Sequence, residues 1–162
     1  MPNQTVGRHL AQLNVGRLAY DQSDPRVAEF MDNLERVNRI AERSPGYVWR
    51  YTDAGGVAAT ETSFDGEDPR FIANLTVWES VEDLQRFVWD TVHRRFYLKR
   101  KAWFRPFESA HFVMWWVPAE HRPSLAEARE RLRLLQRNGP SPEAFGWESV
   151  PDAATIAARR CA

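Results

Sequence analysis

The chain has 162 residues, with 22 Lys and Arg against 22 Asp and Glu, and it contains a single Cys. This length is typical of one domain folding around its own core, and a lone Cys forms no disulfide framework. The zero net charge argues against a nucleic-acid partner, and no apolar run reaches the roughly 20 residues that span a bilayer. We therefore expect a cytoplasmic protein with no membrane or nucleic-acid partner, one domain over residues 1–147 and a tail over residues 148–162.

The first predicted elements are a strand and a helix. Residues 9–15 alternate in side-chain character, which places Gln12 and Asn14 on one face of a strand. An Asp-Pro pair at residues 24–25 is typical of a helix N-terminus, and apolar residues follow it at helical spacing. A Ser-Pro-Gly run at residues 44–46 then ends the helix, because proline blocks continuation and glycine permits the turn.

Two strands separated by a polar connection come next. Residues 47–51 form a short aromatic strand, and residues 52–69 are the connection that we expect to be the most mobile loop. Residues 71–78 form the next strand. Its alternation places Asn74 and Thr76 on one face and apolar residues on the other.

The second predicted helix changes its apolar face partway along. It begins after residues 79–80, and Leu84 and Phe87 belong to its first inward stripe. From Trp89 onward the bulky residues follow a second stripe that lies nearly opposite the first. A straight helix would have to bury both stripes, so we predict a break or kink near residues 90–91. The alternative is a straight helix whose second half covers a cavity or a partner.

The last predicted elements are a strand, a helix and a short anchored segment. Residues 111–117 are continuously apolar, which indicates a strand buried on both faces. Residues 124–127 form a capping box that begins the third helix, and an Asn-Gly-Pro run at residues 138–140 ends it. We expect Phe145 and Trp147 to anchor the segment that follows.

This order of elements, β-α-β-β-α-β plus one helix, predicts an α+β fold of the ferredoxin-like type. Helices on one face of a four-stranded sheet leave the other face to be covered. We expect a homodimer that pairs two sheets face to face as a dimeric α+β barrel, and the alternative is a monomer covered by its own tail. Tryptophans are expected on that second face, drawn from Trp49, Trp78, Trp115 and Trp116.

The sequence carries no catalytic or metal-binding motif, which leaves an apolar pocket with a few polar groups as the default site. His93, Tyr97 and Arg100 recur at helical spacing and are the leading catalytic candidates. His93 can act as a general base or as an axial ligand, and the other two can orient an oxyanion. The alternative is a structural His93 that binds a backbone carbonyl beneath the helix kink.

A second candidate cluster consists of polar side chains on the predicted sheet. Asn14 and Gln12 on the first strand, with Asn74 and Thr76 on the third, can hold a substrate carbonyl or phenol. The alternative is that they bind one another or face the dimer interface. The aromatic residues that we expect to line the pocket, with Tyr20 as a cap, are Tyr20, Trp78, Trp89, Phe96, Trp103, Phe104 and Trp115.

Several short runs form a recognisable combination. They are Ser-Pro-Gly-Tyr-Val-Trp-Arg at residues 44–50, Asn-Leu-Thr-Val-Trp-Glu-Ser at residues 74–80, Trp-Trp-Val-Pro-Ala at residues 115–119, and Gly-Pro-Ser-Pro-Glu-Ala-Phe at residues 139–145. Over residues 8–147 the chain resembles the bacterial DUF3291 family. That resemblance implies membership of the dimeric α+β barrel superfamily, which includes cofactor-free monooxygenases of antibiotic biosynthesis, cyclases and isomerases of polyketide pathways, and haem enzymes.

We therefore expect a small homodimeric enzyme of specialised metabolism that works without a cofactor on an aromatic or polyketide-like substrate. In this hypothesis His93 moves a phenolic proton, and Tyr97, Arg100 and Asn14 stabilise the anion for a monooxygenase, cyclase or isomerase reaction. Two alternatives stay open. One is a haem-dependent enzyme with His93 as the axial ligand, and the other is a non-catalytic module that binds a small molecule.

Overall fold

The computed structural model describes residues 7–52, 70–91, 93–106 and 109–150. The predicted mobile loop, apart from Thr52, and most of the predicted tail lie outside these residues. The described elements are β1 (Arg8–Leu18), a short 3-10 helix (Pro25–Val27), α1 (Ala28–Glu42), β2 (Tyr47–Arg50), β3 (Phe71–Trp78), α2 (Val81–Asp90), α3 (His93–Trp103), β4 (Phe104–Arg105), β5 (Phe112–Pro118), α4 (Leu125–Asn138) and a second 3-10 helix (Trp147–Ser149). No helix in the described ranges is both long and apolar enough to cross a membrane.

The strands form one antiparallel sheet with β1 at its centre. β3 pairs along one side of β1 and carries β2 at its outer edge, whereas β5 pairs along the other side. The two-residue β4 continues that second side by pairing with Arg17 and Leu18 at the end of β1. The order of the four main strands across the sheet is β2-β3-β1-β5. Helix α1 connects β1 to β2, and α2 with α3 connects β3 to β5, which confirms the predicted ferredoxin-like α+β topology.

Local sequence signals account for the helix boundaries. Asp24 accepts a hydrogen bond of 2.8 Å from the backbone N–H of Arg26 and so starts the first helical segment. Gly46 ends the turn after α1 with a φ of +78°, a conformation that favours glycine. Ser124 caps α4 by accepting from the Glu127 N–H at 3.1 Å. The predicted capping box is only half formed, since the Glu127 carboxylate instead accepts from Trp115 Nε1 at 3.2 Å.

The predicted break in the second helix is confirmed. α2 ends at Asp90, and α3 begins at His93. Thr91 stabilises the break, because its hydroxyl donates to the Phe87 carbonyl at 2.5 Å and accepts from the His93 N–H at 3.2 Å. The prediction that Phe104 continues the helical stripe is wrong, since this residue has left the helix and pairs with β1.

The two faces of the sheet are covered by different helices of the same chain. α1, α2 and α3 lie on one face, and α4 packs on the other through Ala128, Leu132 and Leu135. Trp49 and Trp115 lie on the α4 face, as expected, whereas Trp78 and Trp116 pack on the opposite face. The centre of the second face is thus buried within a single chain. A second copy of the chain is therefore not needed to cover this face, and the homodimer stays a prediction.

Candidate active site

A cleft opens between the sheet and the helices that cover its first face. Its empty space, counted together with the open solvent at its mouth, is about 620 Å³. The sheet forms its floor. Its walls are formed by α1, α2 and α3, and the second 3-10 helix (Trp147–Ser149) closes one side. The residues that line it are Gln12, Asn14, Val37, Asn38, Ala41, Arg50, Asn74, Thr76, Leu84, Phe87, Val88, His93, Tyr97, Phe112 and Trp147.

Part of the polar floor is satisfied by its own hydrogen bonds. Gln12 Nε2 donates to Thr76 Oγ1 at 2.6 Å, and Trp78 Nε1 donates to the same oxygen at 2.9 Å. Both Gln12 and Thr76 are buried, so these bonds compensate for the loss of water. For this pair, the alternative that the polar residues bind one another is correct.

Asn14 and Asn74 form the other part of the floor, and their side chains are unpaired. The two residues lie directly opposite each other on β1 and β3, which brings neighbouring side chains to about 5 Å between Cβ atoms. Neither side-chain amide has a hydrogen-bond partner among the described residues, and neither is sealed from solvent. Two adjacent amides are therefore available to a ligand in the cleft.

His93 enters the cleft at the first turn of α3. Its Nδ1 lies 3.4 Å from the Val88 carbonyl, and its ring centroid is 4.9 Å from that of Phe87. Burial lowers the pKa of His93 to about 4, although the Val88 carbonyl acts in the opposite direction. The imidazole is therefore neutral at physiological pH, and a proton on Nδ1 satisfies the carbonyl. The lone pair is then on Nε2, which has no described protein partner.

The geometry of His93 fits both interpretations of this residue, the structural one and the catalytic one. The residue does bind a backbone carbonyl beneath the helix break, as the structural alternative proposed. It also lines the cleft together with Asn14 and Asn74. The carbonyl contact favours a proton on Nδ1, which makes Nε2 the basic nitrogen of a residue that lines the cleft.

Tyr97 lines the same cleft, but Arg100 does not. The Tyr97 ring contacts the Trp89 ring edge-on, with 4.9 Å between centroids. The Arg100 guanidinium lies 3.9 Å above the Tyr97 ring, and its Nη1 donates to the Tyr97 carbonyl at 2.8 Å. The prediction that Arg100 faces the pocket is therefore wrong, because its long side chain folds back over Tyr97. It can orient the phenol without touching a ligand.

Most of the predicted aromatic lining lies elsewhere. Tyr20, Phe96, Trp103 and Phe104 pack with Phe30 in a separate apolar cluster beside the end of β1. The Phe30 ring is 5.6 Å from Trp103 and 4.9 Å from Phe104, so this cluster is filled by its own side chains. Tyr20 is covered by Arg26, at 3.5 Å from its ring centre, and does not cap the cleft.

The three remaining tryptophans of the prediction also lie outside the lining. Trp115 is fully buried on the α4 face of the sheet, the side away from the cleft. Trp78 and Trp89 are buried in the apolar cluster on the helical side, where Trp78 stacks on Phe87 at 5.2 Å. They support lining residues rather than contact a ligand themselves. Of the predicted set, the cleft contains His93, Tyr97, Asn14 and Asn74.

Sequence reasoning missed several lining residues that come from four different elements. Asn38 lies on α1, Arg50 on β2, Phe112 on β5, and Trp147 on the last 3-10 helix. The Trp147 ring stacks on Phe112 with 5.3 Å between centroids and an interplanar angle of 11°. Trp147 was expected only as an anchor, and no periodic pattern links these four residues. The described residues contain no cluster of three or more His, Cys, Asp or Glu able to hold a metal ion.

Comparison with known proteins gives a family match and a likeness to solved structures. A solved structure of SnoaB, a cofactor-independent oxygenase from Streptomyces nogalater, is similar at 13% identity and a TM-score of 0.43, over 70% of this chain and 95% of that one. No curated protein matches the sequence. The model of the family described as a domain of unknown function, DUF3291, matches residues 9–161. That match covers nearly the whole chain, and the protein belongs to the DUF3291 family.

Proposed function

We propose that the protein is a small enzyme of specialised metabolism that removes a proton from a phenol or enol of an aromatic substrate, without a cofactor. One observation carries the proposal: a neutral His93, with Nε2 unpaired, shares a cleft with the unpaired amides of Asn14 and Asn74. A base and two hydrogen-bond donors around one apolar space are the groups that this chemistry needs.

The proposed step begins when a substrate hydroxyl approaches His93. Its O–H bond breaks and a bond forms between the proton and Nε2, while Nδ1–H continues to donate to the Val88 carbonyl. The resulting imidazolium and oxyanion form an ion pair inside the cleft. The amide N–H groups of Asn14 and Asn74 donate to the oxyanion, and Tyr97, oriented by Arg100, adds a third donor.

Two reaction types use the same anion. In a monooxygenase reaction, a ring carbon of the anion gives its electrons to dioxygen, and the peroxide anion that forms takes the proton back from the His93 imidazolium to become a hydroperoxide. Loss of water from that hydroperoxide leaves a quinone, so one oxygen atom enters the product and the other enters water. In a cyclase or isomerase reaction, the carbanion attacks a carbonyl of the same molecule, and His93 returns the proton.

Oxygen uptake and product formation with a panel of hydroxynaphthalenes test this proposal. We expect His93→Gln to lower turnover about 100-fold or more, since the base is removed while the side chain stays polar. The matched control is His121→Gln, because His121 is exposed and pairs with Glu127 away from the cleft at 2.6 Å. Equal turnover in the His93 variant and the wild type would remove His93 from the mechanism.

The pH profile gives a second readout of the same base. A free-enzyme pKa of about 4 for His93 places the acidic limb of kcat/KM near that value. Activity should therefore stay flat from about pH 5 to about pH 8 with respect to this group. An acidic limb at the ordinary histidine value, about pH 6.5, would contradict the burial of the working base.

Haem-dependent chemistry is a second candidate, favoured by the orientation of His93. Metal-bound histidines commonly donate their other ring nitrogen to a carbonyl, as His93 Nδ1 does to Val88. His93 would then be the axial ligand. The fit is incomplete for the haem propionates, because haem carries two carboxylates and Arg50 is the sole cation among the described lining residues.

An absorbance spectrum of the purified protein, before and after addition of haem, separates these candidates. A strong Soret band that His93→Gln abolishes would favour haem and reassign His93 as its ligand. A spectrum that haem does not change would favour the cofactor-free reaction. Saturable binding of hydroxynaphthalenes with no product would instead indicate the non-catalytic binding module.

A further inference from the structure

Arg50 is the one charged side chain among the described residues that line the cleft, since His93 is neutral there. Its position is set by the sheet: β2 pairs with β3 so that Arg50 lies opposite Thr76, next to the polar floor. The side chain is partly buried, with 23% of its surface exposed. Less water screens a partly buried cation, so its attraction for a charged ligand is stronger than that of a fully exposed cation.

Glu42 fixes the guanidinium by one nitrogen and leaves the other two free. Arg50 Nε donates to Glu42 Oε1 at 2.7 Å, and Glu42 is not part of the lining. Nη1 and Nη2 have no partner among the described residues, and neither nitrogen is sealed from solvent. The planar fork can therefore present its two terminal nitrogens to the two oxygens of a carboxylate.

No described group in the cleft competes for this fork. The described lining contains neither Asp nor Glu. The Tyr47 hydroxyl, on which the charge of Arg50 acts, stays protonated, because burial and the charge of Glu42 raise its pKa to about 12 even though Arg50 acts in the opposite direction. An anion that enters the cleft thus meets one oriented cation, and the carboxylate that orients it, Glu42, lies outside the lining.

We propose that Arg50 binds a carboxylate of the substrate, so that the cleft selects aromatic acids over neutral aromatic compounds of the same shape. This inference rests on the proposed function for the aromatic part of the substrate. The substrate then carries two features at once: a carboxylate at Arg50 and an ionisable hydroxyl within reach of His93. The two groups together orient the ring between them.

Calorimetric titration of the full chain with salicylate and salicylamide tests this proposal. The two probes share a hydroxylated ring and differ by one charge. We expect the wild type to bind salicylate about 10- to 100-fold more tightly, as for a charge-assisted hydrogen bond. Arg50→Gln should remove the preference while leaving salicylamide affinity within about twofold, and Arg50→Lys should restore part of it, because it keeps the charge but not the fork.

The matched control is Arg39→Gln, which removes the same charge from an exposed arginine that pairs with Glu35 on α1 outside the lining. It should keep the full preference for salicylate. Equal binding of the two probes by the wild type, no binding of salicylate, or an unchanged preference in Arg50→Gln would each overturn the proposal. His93→Gln separates the two hypotheses, because loss of turnover there with intact salicylate preference supports both, whereas intact turnover removes only the proposed base.

Discussion

The two faces of the same sheet differ in what their side chains do. On the α4 face, alternate residues of β1, β3 and β5 are apolar, and Val15, the most exposed of its buried sheet residues, is only 4% exposed. On the opposite face, β1 and β3 present polar residues to a cleft, namely Gln12, Asn14, Asn74 and Thr76. Both faces are covered by helices of the same chain, but the cover over this face leaves Asn14 exposed and Asn74 half-buried, whereas Gln12 and Thr76 are buried.

This contrast separates residues that stabilise the fold from residues that are available for function. The α4 face is packed without polar groups, which is how a sheet gains most from burial. The helical face instead places two unpaired amides and a neutral imidazole along a cleft. Polar side chains that line a cleft and have no partner within the fold are typical of functional sites.

The largest expected effect comes from the α4 face. Trp115→Ala removes a fully buried side chain from close packing and should lower the free energy of unfolding by about 3–5 kcal/mol. Trp147→Ala, on the cleft side, removes a half-buried ring and should cost less than half of that. Urea denaturation of both variants measures the difference. Equal losses would mean that the cleft side is packed as closely as the α4 face.

The next effect concerns the charge state of His93. Its pKa is about 4 in the folded protein against an ordinary 6.5, so the unfolded chain binds more protons between these values. Stability should therefore fall as the pH is lowered through this window, and His93 should contribute no pH dependence above it.

Comparison of His93→Gln with the wild type isolates this contribution. The wild type should lose more stability than the variant between about pH 7 and about pH 5 in urea denaturation. Parallel curves for His93→Gln and the wild type would show that His93 is as well solvated in the folded protein as in the unfolded one.

The smallest effects distinguish the two kinds of polar residue on the cleft floor. Gln12→Leu removes the buried donor to Thr76 and should cost about 1 kcal/mol. Asn14→Leu breaks no bond within the described structure and should change stability by less than about 0.5 kcal/mol, while reducing turnover. Thermal unfolding and oxygen uptake, measured on both variants, test this pair. A large loss of stability in Asn14→Leu would assign Asn14 to the fold instead of the site.

Much of the fold follows from local patterns in the sequence. The alternation in residues 71–78 predicts both the bounds and the two faces of β3, since side chains of a strand point to alternate sides. The two apolar stripes around Trp89 predict the break between α2 and α3. Helix ends follow from Asp24, Gly46 and Gly139, the last with a φ of +73°. Each of these signals involves residues that are close together along the chain.

Only those residues of the candidate site that follow strand alternation or helical spacing were predicted from the sequence. Asn14 and Asn74 follow from strand alternation, and His93 with Tyr97 from helical spacing. Phe96 and Trp103 were assigned to the same pocket, but they occupy another face of α3 and pack at a different cluster. Spacing along a helix indicates which residues share a face and does not indicate what lies opposite that face.

The sequence by itself determined the order of elements, the two faces of β1 and β3, and the position of the helix break. Only the tertiary structure decided which side chains meet in the cleft, that Arg50 is oriented by Glu42, and that α4 covers the second face of the sheet. The physical reason is the range of the interactions. Alternation, capping and helical spacing act between residues close along the chain, whereas the cleft joins side chains from Gln12 to Trp147 through packing that no local pattern encodes.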